Sequence, residues 1–144
     1  MKKLLILNGP NINMTGVREK DIYGTASYKE LVSMIKTWCG EVGFKSTVIQ
    51  SNHEGELIDI IQKSEKKGYC GIIINPGAYS HYSIAIMDAL QCVSIPKIEV
   101  HISDIQNREE FRKNLITAKA CSSVISGKGY EVYHLAVIEI SKLL

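Results

Sequence analysis

Five short apolar runs alternate along this chain with amphipathic stretches of helical length, and that alternation constrains the fold more than any single residue does. The runs, rich in β-branched residues, are Leu4 to Leu7, Ser46 to Gln50, Gly71 to Asn75, Lys97 to His101 and Ser122 to Ile125. The helical stretches are Ser27 to Val42, Glu54 to Lys67, His81 to Gln91, Arg108 to Ala118 and Glu131 to Leu144. Strands separated by helices pair in parallel, because a parallel neighbour needs a crossover and the crossover helix buries its apolar stripe on the sheet. Leu4 to Leu7 and Ile72 to Ile74 are apolar on both faces, as central strands covered on both sides must be.

Five strands in one open sheet predict an α/β, flavodoxin-like fold of strand order 2-1-3-4-5 with helices on both faces. The 144 residues are evenly filled with elements, which leaves no linker and reads as one domain, 1–144. Hydrophobic residues at 45% and charged residues at 22% are globular averages, so extended disorder is not expected. No apolar run approaches spanning length, and Met1-Lys2-Lys3 leads into a strand with no signal-peptide pattern, so a cytoplasmic chain with no membrane partner is expected. A net charge of +2 without a polybasic tract does not imply nucleic acid. Cys39, Cys70, Cys92 and Cys121 lack zinc-ligand spacing and read as packed, reduced thiols.

Ligands of such sheets bind beyond the carboxyl ends of the strands, and the unusual polar residues of this chain fall there. Strand one runs into Asn8-Gly9-Pro10-Asn11, strand three into Asn75-Pro76-Gly77-Ala78-Tyr79-Ser80-His81, and strand four into His101-Ile102-Ser103. Neither glycine pattern is a phosphate loop or dinucleotide fingerprint, so no nucleotide cofactor is expected. Along strand four, Ile98, Val100 and Ile102 share one face and Glu99, His101 and Ser103 the other. A carboxylate two residues before a histidine can orient the imidazole and hold its charged form, which suits a general acid. Taken alone, the same pattern also fits a solvent-facing edge strand. Residues 8–26 form a connection far longer than the usual ~2–6 residues, and its charged middle lies between Gly16 and Gly24, as a mobile lid around 16–24 would. Arg18 and Tyr23 share that loop, where a guanidinium would favour an ionised phenol able to act as a base.

These motifs, with Gln50-Ser51-Asn52-His53-Glu54-Gly55 and Arg108-Glu109-Glu110-Phe111-Arg112, closely resemble the type II 3-dehydroquinases over essentially the whole chain. The resemblance implies dehydration of 3-dehydroquinate to 3-dehydroshikimate with no metal, organic cofactor or Schiff-base lysine. It makes Tyr23 the base that removes a proton beside the substrate ketone, with Arg18 favouring the tyrosinate and Asn11 holding a water that stabilises the enolate. His101, held by Glu99, would protonate the departing hydroxyl. The Ile102 and Ser103 backbone amides with the Ser103 hydroxyl match a carboxylate clamp, and Asn75, His81 and Arg112 match hydroxyl-binding positions. Asp88 matches a residue that reaches a neighbouring subunit's site, implying homotrimers that assemble as a dodecamer. From periodicity alone Asp88 is a polar residue on a helix whose Ile84, Met87 and Leu90 face inward.

The chain departs from the family pattern at Asp104, Gln106 and Asn107, where an added carboxylate beside an anion clamp could weaken substrate binding, and at Met14-Thr15, which replaces a more usual leucine pair. Two further classes compete with the enzyme reading. A non-catalytic flavodoxin-like anion-binding module would need no base and acid together, and a cysteine hydrolase would need a nucleophile at a strand-to-helix elbow, where this chain has none.

Overall fold

The computed structural model describes residues 1–17 and 26–144. Its strands are β1 (Lys3–Asn8), β2 (Lys45–Gln50), β3 (Tyr69–Asn75), β4 (Lys97–His101) and β5 (Ser123–Ser126). Its α-helices are α1 (Tyr28–Glu41), α2 (Glu54–Lys63), α3 (Ile84–Gln91) and α4 (Glu131–Lys142). The strands form one all-parallel sheet in the expected order β2-β1-β3-β4-β5. Alternation along the central strands divides the interior into two layers. Leu4, Ile6, Ile73, Ile98 and Val100 pack with Leu31, Ile35 and Cys39 of α1 and Val132, Ala136 and Ile140 of α4. Leu5, Leu7, Ile72 and Ile74 pack with Leu57 and Ile61 of α2 and Ile86, Ala89 and Leu90 of α3.

Helix starts follow local chemistry. The Ser27 hydroxyl accepts from the Glu30 amide and caps α1, and the Ser83 hydroxyl accepts from the Ile86 amide and caps α3. Because Ser83 is the cap, α3 begins at Ile84 and not at His81, and residues Gly77–His81 form a 3-10 turn. That phase also corrects the inward face expected for this helix. Ile86, Ala89 and Leu90 are buried, whereas Ile84 is 59% exposed and lies one turn from the exposed Asp88.

The helix expected over Arg108 to Ala118 does not form. Two 3-10 turns, Glu110–Lys113 and Thr117–Ala120, stand in its place, separated by extended backbone at Asn114. The Ile116 amide donates to the Ser80 carbonyl, which draws this segment against the Gly77–His81 turn. Thr117 is thereby carried against β4. Glu99 and His101 are consequently buried, at 0% and 5% exposure, on a strand paired on both sides, and the edge-strand alternative is overturned. The cysteines are free, as expected, but Cys92 is exposed rather than packed. Burial pushes the Cys39 thiol up to about 11. Burial, reinforced by the nearby Glu99 carboxylate, pushes Cys121 up to about 12, so both are poor nucleophiles near neutrality.

The Thr15 hydroxyl is buried, with the residue 1% exposed, and has no hydrogen-bond partner among the described residues. An unpaired buried hydroxyl costs about 1–3 kcal/mol, so Thr15→Val, nearly equal in volume, is expected to stabilise the fold by roughly 1 kcal/mol. Thermal denaturation of the two proteins checks this, and a lower melting temperature for the variant would show that the hydroxyl is satisfied in solution.

Candidate active site

The carboxyl ends of β1 and β3 lead into two turns that lock together. The Gly9 amide donates to the Asn75 carbonyl at 2.7 Å, and a β-carbon at Gly9 would meet the Pro76 carbonyl oxygen at 2.5 Å. Gly77 has φ +61° and faces the Pro10 carbonyl. Only glycine permits this approach, so the two turns form one wall of a cleft. Asn11, which follows, has φ 68°, a left-handed conformation that asparagine tolerates better than other side chains. Its amide donates to Asn52 Oδ1 at 3.0 Å, and the same oxygen accepts from Gln50 Nε2 at 3.0 Å. The Gln50-Ser51-Asn52 run at the end of β2 is therefore a brace that sets the backbone of Asn11 and leaves its side chain at the cleft.

Asn75 is buried at the end of β3. Its Nδ2 donates to Tyr133 Oη at 3.0 Å, and its Oδ1 accepts from the Gly77 amide at 3.2 Å. Tyr133 Oη donates in turn to Asn8 Oδ1 at 2.7 Å, and Asn8 Nδ2 donates to Tyr28 Oη at 3.3 Å. Burial drives the Tyr133 phenol far above its ordinary value, so it stays neutral and serves as a fixed hydrogen-bonding bridge from α4. The second N–H of the Asn75 amide is left for the cleft, oriented by this chain of contacts.

On the opposite wall, His101 Nε2 lies 2.7 Å from Glu99 Oε2 in a buried pair. Glu99 presents its other oxygen to the Thr117 hydroxyl, which donates to it. The pairing at Nε2 leaves Nδ1 as the imidazole nitrogen free to serve the cleft. The His81 ring lies 6.3 Å from that of His101, centre to centre. Burial lowers the basicity of His81, and the neighbouring His101 and Arg112 side chains act in the same direction, against a raising hydrogen bond to the Asn114 carbonyl and the raising effect of the Glu99 carboxylate. The imidazole is thus neutral near pH 7. A carbonyl only accepts, so His81 Nδ1, 2.9 Å from it, carries the proton and Nε2 is left as an acceptor.

The cleft brings together Asn11, Asn75, His81, His101, Ile102, Ser103 and Arg112, with Glu99 one layer behind His101. Arg108 joins them and donates to Ser103 Oγ at 3.5 Å. Two guanidiniums beside a serine hydroxyl and a β-strand terminus suit an anionic ligand. Asp88 stands apart from this cleft on the exposed side of α3. Arg18, Tyr23 and most of the expected lid around 16–24 lie outside the described residues. Asp104 does not face the cleft with a spare charge. Its oxygens accept from the Gln106 amide at 3.2 Å and Asn107 Nδ2 at 2.6 Å, so the unusual residues at 104 and 107 satisfy one another in a 3-10 turn.

Arg108, Thr117 and Tyr133 were not singled out by sequence reasoning. Arg108 lay inside a quoted motif without a role, Thr117 lay within an expected helix, and Tyr133 looks in sequence like any residue of the α4 apolar stripe.

Comparisons with known proteins agree with one another. The chain is 51% identical over all 144 of its residues, and 99% of the relative's length, to a 3-dehydroquinate dehydratase of Caldicellulosiruptor saccharolyticus. It is 49% identical over 142 residues, 99% of this chain and 96% of the relative, to that of Thermotoga maritima. The crystal structure of type II dehydroquinase from Butyrivibrio crossotus superposes with a TM-score of 0.95 at 48% identity, covering 97% of each chain. The family model for dehydroquinase class II matches residues 2–141, and with a cleft built from those same residues this chain belongs to the class II dehydroquinases.

Proposed function

We propose that this chain performs the dehydration for which its family is named, converting 3-dehydroquinate to 3-dehydroshikimate through an enolate. The observation that carries the reading is the buried Glu99–His101 pair opening on a cationic cleft in a chain matched by the family model over residues 2–141. Tyr23, activated by Arg18, removes the proton from the carbon beside the ketone. The negative charge that develops on the ketone oxygen is met by a water held by Asn11, and His101 then protonates the departing hydroxyl so that it leaves as water. Ile102, Ser103 and the neighbouring guanidiniums receive the substrate carboxylate. Asn75 donates to a substrate hydroxyl and His81 Nε2 accepts from one, with Arg112 alongside. The chemistry assigned to these side chains is complete without a metal or organic cofactor, and among the described residues no cluster of metal-ligating side chains is present.

The same reading takes residues 1–144 as one catalytic domain with a lid around 16–24, whose charged segment and glycines support that role. It takes the working form as trimers assembled to a dodecamer in which Asp88 reaches a neighbouring cleft. Tyr82 and Ile84, 63% and 59% exposed at the start of the helix that carries Asp88, support a subunit contact there. No helix among the described residues is long and apolar enough to cross a membrane, and we take the enzyme to act in the cytoplasm on a small anionic substrate, without nucleic acid.

Mixing the purified chain with 3-dehydroquinate and following ultraviolet absorbance of the conjugated enone product tests the activity. Enone growth from fresh substrate that survives prior incubation of the protein with 3-dehydroquinate and borohydride together supports the enolate route, because an imine formed with the substrate would be reduced and the enzyme inactivated. No enone from folded protein would instead favour an anion-binding module. The Asn11 assignment has its own test. Asn11→Gly keeps the left-handed turn and removes the carboxamide, so kcat is expected to fall on the order of a hundredfold, the scale of losing one oxyanion donor. A kcat within twofold of wild type would remove Asn11 from the mechanism.

A further inference from the structure

We infer that Thr117 is a positioning residue for the acid of this reaction, its hydroxyl fixing the Glu99 carboxylate so that the other oxygen points at His101. The inference rests on the role proposed for His101. Thr117 is fully buried, as is Glu99, and donates its hydroxyl to Glu99 Oε1 while Glu99 Oε2 meets His101 Nε2 at 2.7 Å. A buried carboxylate has two oxygens to satisfy, and Glu99 is 0% exposed to bulk solvent. With only the His101 contact, the carboxylate could rotate about its terminal torsion or hold a proton itself, and either would weaken its support of the imidazolium.

The segment that supplies Thr117 also serves the second histidine. The Asn114 carbonyl accepts from His81 Nδ1, and the Ile116 amide donates to the Ser80 carbonyl at 2.7 Å. Residues 114–117 therefore set the Glu99 carboxylate and the His81 tautomer from one short strap. This explains why a regular helix there would serve the site poorly: helical backbone would direct the Asn114 carbonyl and Ile116 amide into the helix's own ladder.

The charged and titratable groups facing the pair come from several elements. They are His81 from the Gly77–His81 turn, Arg112 from the Glu110–Lys113 turn, Arg108 across the cleft, Cys121 after the Thr117–Ala120 turn, and Lys97 on β4 itself. Among the described residues Glu99 Oε1 accepts from the Thr117 hydroxyl, and that contact orients the carboxylate.

Thr117→Val, Thr117→Ala and Thr117→Ser separate this role from packing. The valine and alanine variants are expected to lose about tenfold in kcat with KM within twofold of wild type, since Thr117 touches no part of the cleft. The limb of the kcat–pH profile that reports loss of the acid's proton is expected to move to lower pH, because a less well held carboxylate supports the imidazolium less. Serine, which keeps the hydroxyl and drops the methyl, is expected to restore both. Proton NMR of the His101–Glu99 hydrogen bond gives a readout independent of turnover: the downfield imidazole N–H signal should persist in wild type and serine and be lost in valine. If serine matches alanine, or fails to fold, the methyl is what matters and the inference falls. A valine variant with wild-type kcat and an intact N–H signal also overturns it. Failure of the underlying reading looks different, because His101→Ala would then turn over normally whatever the Thr117 variants do.

Discussion

Tyr23→Phe is expected to lose at least a thousandfold in kcat while retaining its circular dichroism spectrum and its assembled mass. The reason is proton chemistry. A phenol with a pKa of about 10 is ionised in about one molecule in a thousand at pH 7, so a tyrosinate base needs roughly 4 kcal/mol of stabilisation. A guanidinium about 4 Å away at an effective dielectric near 20 supplies an interaction of that order, reduced by desolvation, and Arg18 stands five residues away in the same segment. Phenylalanine keeps the ring and removes the only atom that accepts the proton. Enone absorbance with 3-dehydroquinate measures the loss, and turnover within tenfold of wild type would mean that another group is the base. Arg18→Gln extends the test: the rising limb of the rate–pH profile is expected to move to higher pH, since the tyrosinate loses its cation.

The second large effect is expected at His101. In His101→Ala, turnover should fall by about 100-fold to 10,000-fold, the range that general-acid catalysis contributes, because hydroxide is a poor leaving group without a proton donor. Loss of the acid does not stop proton removal by Tyr23. Substrate recovered from deuterated water should therefore carry deuterium beside the ketone even though little enone forms. The separation of exchange from elimination is what the two-step mechanism demands. If exchange and elimination fell together, His101 would be serving the first step, and the division of labour between the two residues would be wrong. Burial supports the assignment: His101 is 5% exposed and its Nε2 is held by the fully buried Glu99 carboxylate, so the proton it can give to the cleft is the one on Nδ1.

The sheet was legible because its signal is local and repeated. Both-face apolar strands at Leu4 to Leu7 and Ile72 to Ile74 and a crossover segment of helical length between successive strands leave few topologies, and the observed order β2-β1-β3-β4-β5 is the one they predict. Residues that had to lie at strand ends, such as Asn75, His101 and Ser103, were legible for the same reason: a strand end is a position in sequence as well as in space. The family resemblance supplied the roles, which composition and spacing alone did not.

The missed helix between β4 and β5 has one physical cause. Periodicity assumes that a segment's hydrogen bonds close within itself, and between Arg108 and Ala120 they do not. The Ile116 amide goes to Ser80 and the Asn114 carbonyl to His81, so an apparent helix becomes a strap across β4. The inward face of α3 was misjudged by a shift of phase that only the cap at Ser83 settles. The residue content of β1 to β4 and of their terminal motifs thus determined the sheet and where the cleft opens. Which side chains stand behind the cleft, Tyr133 at Asn75 and Thr117 at Glu99, was decided by tertiary structure alone. Those pairs are 58 and 18 residues apart, and a hydrogen bond between buried groups so distant in sequence exists only once the packing that excludes water has brought them together.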